Sequence, residues 1–248
     1  MLLACLLFIP LLKKCQLEWG VRAKLIQIGA IQLGVMYILF YHSFLYLSVP
    51  EVLLFTISTP IYVSLIDGWL SKKAISYKWL MPSLVAVLGA AVIRYQPVDG
   101  DFFIGLVLVQ LAGICFAYGQ VAYKQLTQLD TIPAHHSFGW FFVGAVSISL
   151  VAMVLFADWS KLPQTSLHWG VLLWLGLIAS GLGYFLWNSG AKQVTTSQLA
   201  VMNNMLIPAG LMVNLMIWSR DVDLIRLVLG GMVILLSLYW AKHQSQPG

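Results

Sequence analysis

Charge is what this sequence has least of. Only 9% of its 248 residues are Asp, Glu, Lys or Arg, while 60% are hydrophobic. Soluble globular domains carry about 25% charged and about 45–50% apolar residues, so a soluble fold is excluded. Cysteine is scarce as well. Cys5, Cys15 and Cys115 sit in or beside apolar runs, and no two have metal-ligand or redox spacing, so they read as packing residues. No glycine-rich phosphate loop occurs, no metal-spaced His/Glu set, and no nucleophile with a base at a known spacing. There is thus no enzyme signature, and no cofactor or metal is called for. The formal net charge is +5, but the basic residues are scattered through short connections and form no patch, so nucleic acid is excluded as a partner.

What is present is one apolar run after another along the whole length, which defines an all-α integral membrane domain. Eight full-length candidate spans stand at 25–47, 50–70, 79–95, 102–123, 138–157, 169–190, 197–218 and 224–241. In lipid, runs of this length must satisfy their backbone internally, which leaves helix as the viable conformation. The short connections make neighbours antiparallel. Residues 1–12 are apolar but would span only about 18 Å of a roughly 30 Å hydrocarbon core. The pair Lys13 and Lys14 follows them, the reverse of the order in a signal peptide.

An internal repeat accounts for that short start. GAIQLGVMY beginning at Gly29 matches GLIASGLGY beginning at Gly176 at an offset of 147 residues. Gly29/Gly176, Gly34/Gly181, Tyr37/Tyr184 and Leu39/Leu186 are identical pairs, and Phe40 meets Trp187. After one extra residue Pro60 meets Pro208, and Pro82-Ser83 meets Gly230-Gly231. Residues 1–12 then pair with the end of the 138–157 span, and the 102–123 span has no partner. The expectation is a bundle of five plus five helices, with the first helix and part of the second, about 40–45 residues, missing. Repeats of odd helix number are inverted across the membrane, as in many secondary transporters. Residues 1–97 form the first repeat and 98–248 the second. With a cytoplasmic C-terminus, the inside connections hold Lys13, Lys14, Arg22, Lys24, Lys72, Lys73, Lys78, Lys124, Lys192 and Lys242. The outside holds Arg94, Lys161, Arg220 and Arg226, together with Glu51, Asp99, Asp101, Asp158, Asp221 and Asp223. That asymmetry follows the positive-inside rule.

Ten helices in two inverted fives, with a proline in the fourth helix of each copy, resemble the drug/metabolite transporter superfamily, EamA-type. The strings QLGVMYILFYHSFLYLSVPEVLLFTISTP (32–60), VIRYQPVDGDFFIGLVLVQLAGICFAYGQVAYKQL (92–126) and IASGLGYFLWNSGA with MNNMLIPAGL (178–191, 202–211) are similar to a biotin-transporting branch of it. The resemblance implies uptake of biotin, or of another small metabolite, across a bacterial inner membrane. Two other readings stay open on the residues alone: an exporter of amino acids or related metabolites, and a nontransporting membrane protein or inactive fragment.

Polar groups inside a membrane are costly and therefore mark candidate sites. Ser180, Tyr184, Trp187 and Asn188 share one helix face, and the repeat mate supplies Tyr37, Phe40 and Tyr41. Gln110 and Gln120 lie on a narrow face with Gly113 and Ala117. His42 lies within its span and could meet a substrate carboxylate. Pro60 frees the carbonyl of Thr56, and Pro208 frees that of Asn204, so polar residues stand at matching breaks. The expected substrate contacts are Tyr37, Tyr41, His42, Thr56, Gln110, Gln120, Tyr184, Trp187, Asn188 and Asn204, with Pro60 and Pro208 as gates. Asn204 is expected to face the pathway, and Asn203 with Asn214 to form a polar seam. The alternative for the aromatic stripes is packing or an interface belt, and for the amides interhelical hydrogen bonding worth about 0.6–2 kcal/mol each. For the prolines it is a purely structural kink.

Overall fold

The computed structural model describes residues 1–12, 17–72, 77–94, 102–130, 132–157, 162–218 and 223–243. Lys13, Lys14, Cys15, Lys73, Asp99, Asp101, Asp158, Lys161, Arg220 and Asp221 lie outside them, as do the side chains of Lys78, Arg94 and Asn214.

Among the described residues there are nine helices, a separate 3-10 turn at Thr127–Leu129, and no strand. They are α1 (Leu2–Leu12), α2 (Trp19–Ser43), α3 (Val49–Phe55, Thr56–Ser58 and Thr59–Leu70), α4 (Tyr77–Arg94) and α5 (Phe103–Lys124). Then come α6 (Ala134–Phe156), α7 (Ser166–Ala191), α8 (Thr196–Trp218) and α9 (Leu224–His243). Six of the helices among the described residues are long and apolar enough to cross a membrane. The 22 residues of α5 rise about 33 Å, enough to cross the hydrocarbon core. The apolar side chains point outward as a lipid-facing surface requires: Leu172, Leu173 and Trp174 on α7 and Leu235 and Leu236 on α9 are all exposed.

Local chemistry sets the helix starts. Ser48 opens α3 with a capping box, its backbone N–H and its hydroxyl both donating to Glu51 Oε2, at 2.7 and 2.6 Å. Thr195 opens α8 by donating its N–H to Gln198 Oε1 at 2.9 Å, while its hydroxyl oxygen accepts from the Gln198 N–H at 3.3 Å. Helix α2 begins at Trp19, six residues before the expected span, because Arg22 and Lys24 belong to its first turns.

The chain divides into two compact units, each drawing on both halves of the sequence. The first comprises Met1–Ile38 and Tyr118–Gln193. Its centre is an aromatic cluster: Phe8 stacks on Phe142 at 5.4 Å, Phe138 stacks on Phe141 at 4.7 Å, and Phe185 packs on Phe8 at 5.2 Å. Helices α2 and α6 cross at glycines, since a Cβ on Gly29 would fall 1.8 Å from Phe141 O and one on Gly144 1.8 Å from Ile26 O. Two π-helical turns lie in this unit, Ala30–Val35 in α2 and Leu175–Gly183 in α7, at corresponding places of the two matching sequence stretches.

The second unit comprises Leu39–Ala117 and Val194–Gly248. Ala86, Ala90, Val201, Ile234 and Ala241 form its core, where α4, α8 and α9 meet. The α4–α9 crossing is close, because a Cβ on Gly230 would lie 2.4 Å from Gly89 O. Buried hydroxyls bond α4 to both neighbours: Ser237 on α9 donates to Pro82 O at 2.6 Å, and Ser64 on α3 and Ser83 on α4 meet at 2.7 Å.

Candidate functional site

Side-chain amides and their partners form two clusters, one in each unit. In the first unit, Trp187 on α7 donates its indole N–H to Gln120 Oε1 on α5 at 3.2 Å. One residue on, Asn188 is fully buried and donates Nδ2 to Tyr184 O at 3.1 Å. Its Oδ1 accepts from Gln32 Nε2 on α2 at 3.3 Å. The rings of Tyr37 and Tyr184 meet edge to face, with centroids 6.2 Å apart. Five of the expected site residues, Tyr37, Gln120, Tyr184, Trp187 and Asn188, therefore stand in one neighbourhood of amides and aromatic rings.

Gln32 is the member that sequence reasoning misses. It lies five residues before Tyr37, which is off the face at helical spacing of 100° per residue. The π-helical turn at Ala30–Val35 closes hydrogen bonds over five residues and changes that register. The available signal is a lone amide inside the run GAIQLGV.

In the second unit the cluster forms around the proline break of α3. Pro60 removes a donor, and the backbone preceding it tightens into the 3-10 turn Thr56–Ser58. The carbonyls around this turn are taken one by one. Phe55 O accepts from Gln110 Nε2 at 3.1 Å, Thr56 O from the Thr59 hydroxyl at 2.7 Å, and Ile57 O from Asn204 Nδ2 at 3.0 Å. Asn204 also donates to Ala86 O at 3.2 Å. The Ser58 hydroxyl lies 3.0 Å from Phe55 O and 2.6 Å from Gln110 Oε1, and its one proton serves one of them at a time. Tyr62 donates to the same Gln110 oxygen at 2.5 Å. Two amides, from α5 and α8, thus hold the interrupted turn.

Asn204, expected on the pathway, is 2% exposed and donates Nδ2 to backbone carbonyls of α3 and α4. Asn203 bonds back along its own helix, Nδ2 to Leu199 O at 2.8 Å, and the side chain of Asn214 lies outside the described residues. The second proline behaves differently from the first. Pro208 sits inside α8, which runs α-helical from Thr196 to Trp218 without a 3-10 turn. The residues before Pro60 include Thr56, Ser58 and Thr59, whose hydroxyls take the local carbonyls, whereas Met205, Leu206 and Ile207 before Pro208 offer none. Tyr41 and His42 lie exposed in the last turn of α2.

Carriers of small molecules are built with such interiors: membrane-length helices, broken backbone satisfied by protein groups, and a few amides among aromatic rings. Polytopic helical membrane proteins of the transporter class share these features. The comparison with known proteins makes the class particular. Residues 103–245 match the EamA-like transporter family, and the chain belongs to that family. It is 45% identical over 245 residues to a biotin transporter of Escherichia coli strain K12, covering 99% of this chain and 82% of that protein. A biotin transporter of Salmonella typhimurium is 44% identical over the same shares. A probable biotin transporter of Pseudomonas aeruginosa is 48% identical over 240 residues, 96% of this chain and 84% of that one. A solved crystal structure only 14% identical in sequence superposes with a TM-score of 0.72, covering 94% of this chain and 78% of its own, and shares the fold.

Proposed function

We propose that this protein is a secondary transporter that takes up biotin across the bacterial inner membrane by alternating access. The observation that carries the reading is the 44–48% identity, over nearly the whole chain, to proteins described as biotin transporters. The chemistry of the first cluster is compatible with it. Biotin presents a cyclic urea, a thioether ring and an apolar chain ending in a carboxylate. Amides suit the urea and aromatic faces suit the ring and chain. Tyr37, Gln120, Tyr184, Trp187 and Asn188 are the contacts assigned to substrate. Thr56, Gln110 and Asn204, with Pro60 and Pro208, are assigned to the elements that move. The two sequence repeats are taken as inverted fives with a cytoplasmic C-terminus; the paired π-helical turns support the pairing of the two stretches.

A biotin-requiring strain without its own transporter tests the reading. Supplied with the full gene, it should grow on trace biotin and accumulate labelled biotin. Absence of rescue, with the protein demonstrably in the membrane, overturns it.

A further inference from the structure

The chain of amide hydrogen bonds in the first unit ends on an acceptor with nothing to accept. Asn188 is oriented by its own backbone, because Nδ2 must face Tyr184 O to donate at 3.1 Å. Its Oδ1 is thereby turned toward α2, where it takes the N–H of Gln32 Nε2 at 3.3 Å. That bond orients Gln32 in turn, resolving which end of the amide is nitrogen. What remains is Gln32 Oε1, fully enclosed by protein and without a hydrogen-bond partner among the described residues.

The side chain is not free to turn elsewhere. It lies flat on the backbone of α5, so close that a Cβ on Gly119 would stand 2.1, 2.3 and 2.6 Å from its Cβ, Cγ and Cδ. A buried acceptor left unsatisfied is destabilising, so retaining one calls for a reason. The residue also sits in the π-helical turn Ala30–Val35, an irregularity frequent at functional sites.

We propose that Gln32 Oε1 is the acceptor for a neutral N–H donor of the transported molecule, of the kind a cyclic urea or amide carries. The inference rests on the transport reading above and deepens it: for biotin the donor is a urea N–H. An uncharged amide oxygen accepts such a donor without a counter-charge, and it repels the oxygens of a carboxylate. The proposal thus also assigns direction, with the urea end toward Gln32 and the carboxylate away from it. In the conformation described the oxygen is closed off; substrate reaches it in the state that opens it.

The test is uptake kinetics in whole cells for wild type and Gln32→Leu. The substrates are labelled biotin and two biotin analogues, each methylated on one urea nitrogen. Gln32→Leu should raise KM for biotin about five- to ten-fold with Vmax within two-fold. It should leave unchanged the KM of the analogue that lacks the relevant N–H, which wild type already takes poorly. A purely structural role predicts equal losses for all three substrates or a loss of Vmax, and either result overturns the proposal, as does an unchanged KM for biotin. The wild-type arm stands even where the variant fails to insert: if both methylated analogues are taken up as well as biotin, Gln32 reads no urea N–H. A wild type that reaches the membrane and moves no biotin refutes the transport reading instead.

Discussion

Two amides decide how the broken turn of α3 is held, and each does so with several bonds. Asn204 bridges Ile57 O and Ala86 O, and Gln110 joins Phe55 O, Ser58 and Tyr62. Hydrogen bonds between helices in lipid are worth about 0.6–2 kcal/mol each, because the separated helices find other partners. Removing one partner is worse when it leaves a buried carbonyl alone, at about 1–3 kcal/mol. Asn204→Leu and Gln110→Leu should therefore each lower thermal stability in detergent by about 1–3 kcal/mol. Thermal unfolding followed by size-exclusion fluorescence measures this, and an unshifted midpoint would show that the turn is held by its own hydroxyls. Asn204 was visible in the sequence as a polar residue four positions before a proline. Its partners were not, because Ile57 and Ala86 bond through backbone, and backbone leaves no mark in sequence.

At the scale of elements, long apolar runs locate helices well. The span read at 102–123 is the helix Phe103–Lys124, and 197–218 is Thr196–Trp218. Interruptions are harder to read. A proline identifies a missing donor, yet whether the backbone tightens depends on the hydroxyls just before it, present before Pro60 and lacking before Pro208. A π-helical turn has no residue signature at all, which is why Gln32 escapes a search at helical spacing. The crossing of α2 and α6 depends on backbone contact, since a Cβ on Gly29 or Gly144 would enter a facing carbonyl at 1.8 Å. No flexible side chain stands there to yield. Gly29→Ala and Gly144→Ala should each cost about 1–3 kcal/mol or more, as overpacking does, and reduce the yield of monodisperse protein. Gly20→Ala in the same helix has nothing within 4 Å and should be neutral or slightly stabilising. Equal behaviour of the three variants would mean that the two helices do not cross as described.

At the scale of the whole molecule, lysine stands at or one residue past the ends of α5, α7 and α9. Lys124 closes α5 and donates Nζ to Ala191 O at the end of α7, at 3.2 Å. Lys192, one residue past α7, returns the bond to Leu126 O at 2.7 Å and pairs with Asp130 at 2.5 Å. Each cation thus satisfies a carbonyl that a helix C-terminus leaves open, where the helix dipole favours positive charge. Lys242 stands in the last turn of α9, two crossings further on. Successive crossings that reverse direction would bring the C-terminal ends of α5, α7 and α9 to one face of the membrane, and the positive-inside rule predicts that face to be the cytoplasmic one. A green fluorescent protein fused after His243 should then fluoresce in intact cells, and alkaline phosphatase fused there should be inactive. Fused after Phe156, at the end of α6, the two reporters should exchange behaviour. The opposite pattern at both sites would invert the molecule and place its lysine-capped helix ends outside. Matching activity at the two sites would instead mean that α7, α8 and α9 do not all cross the membrane.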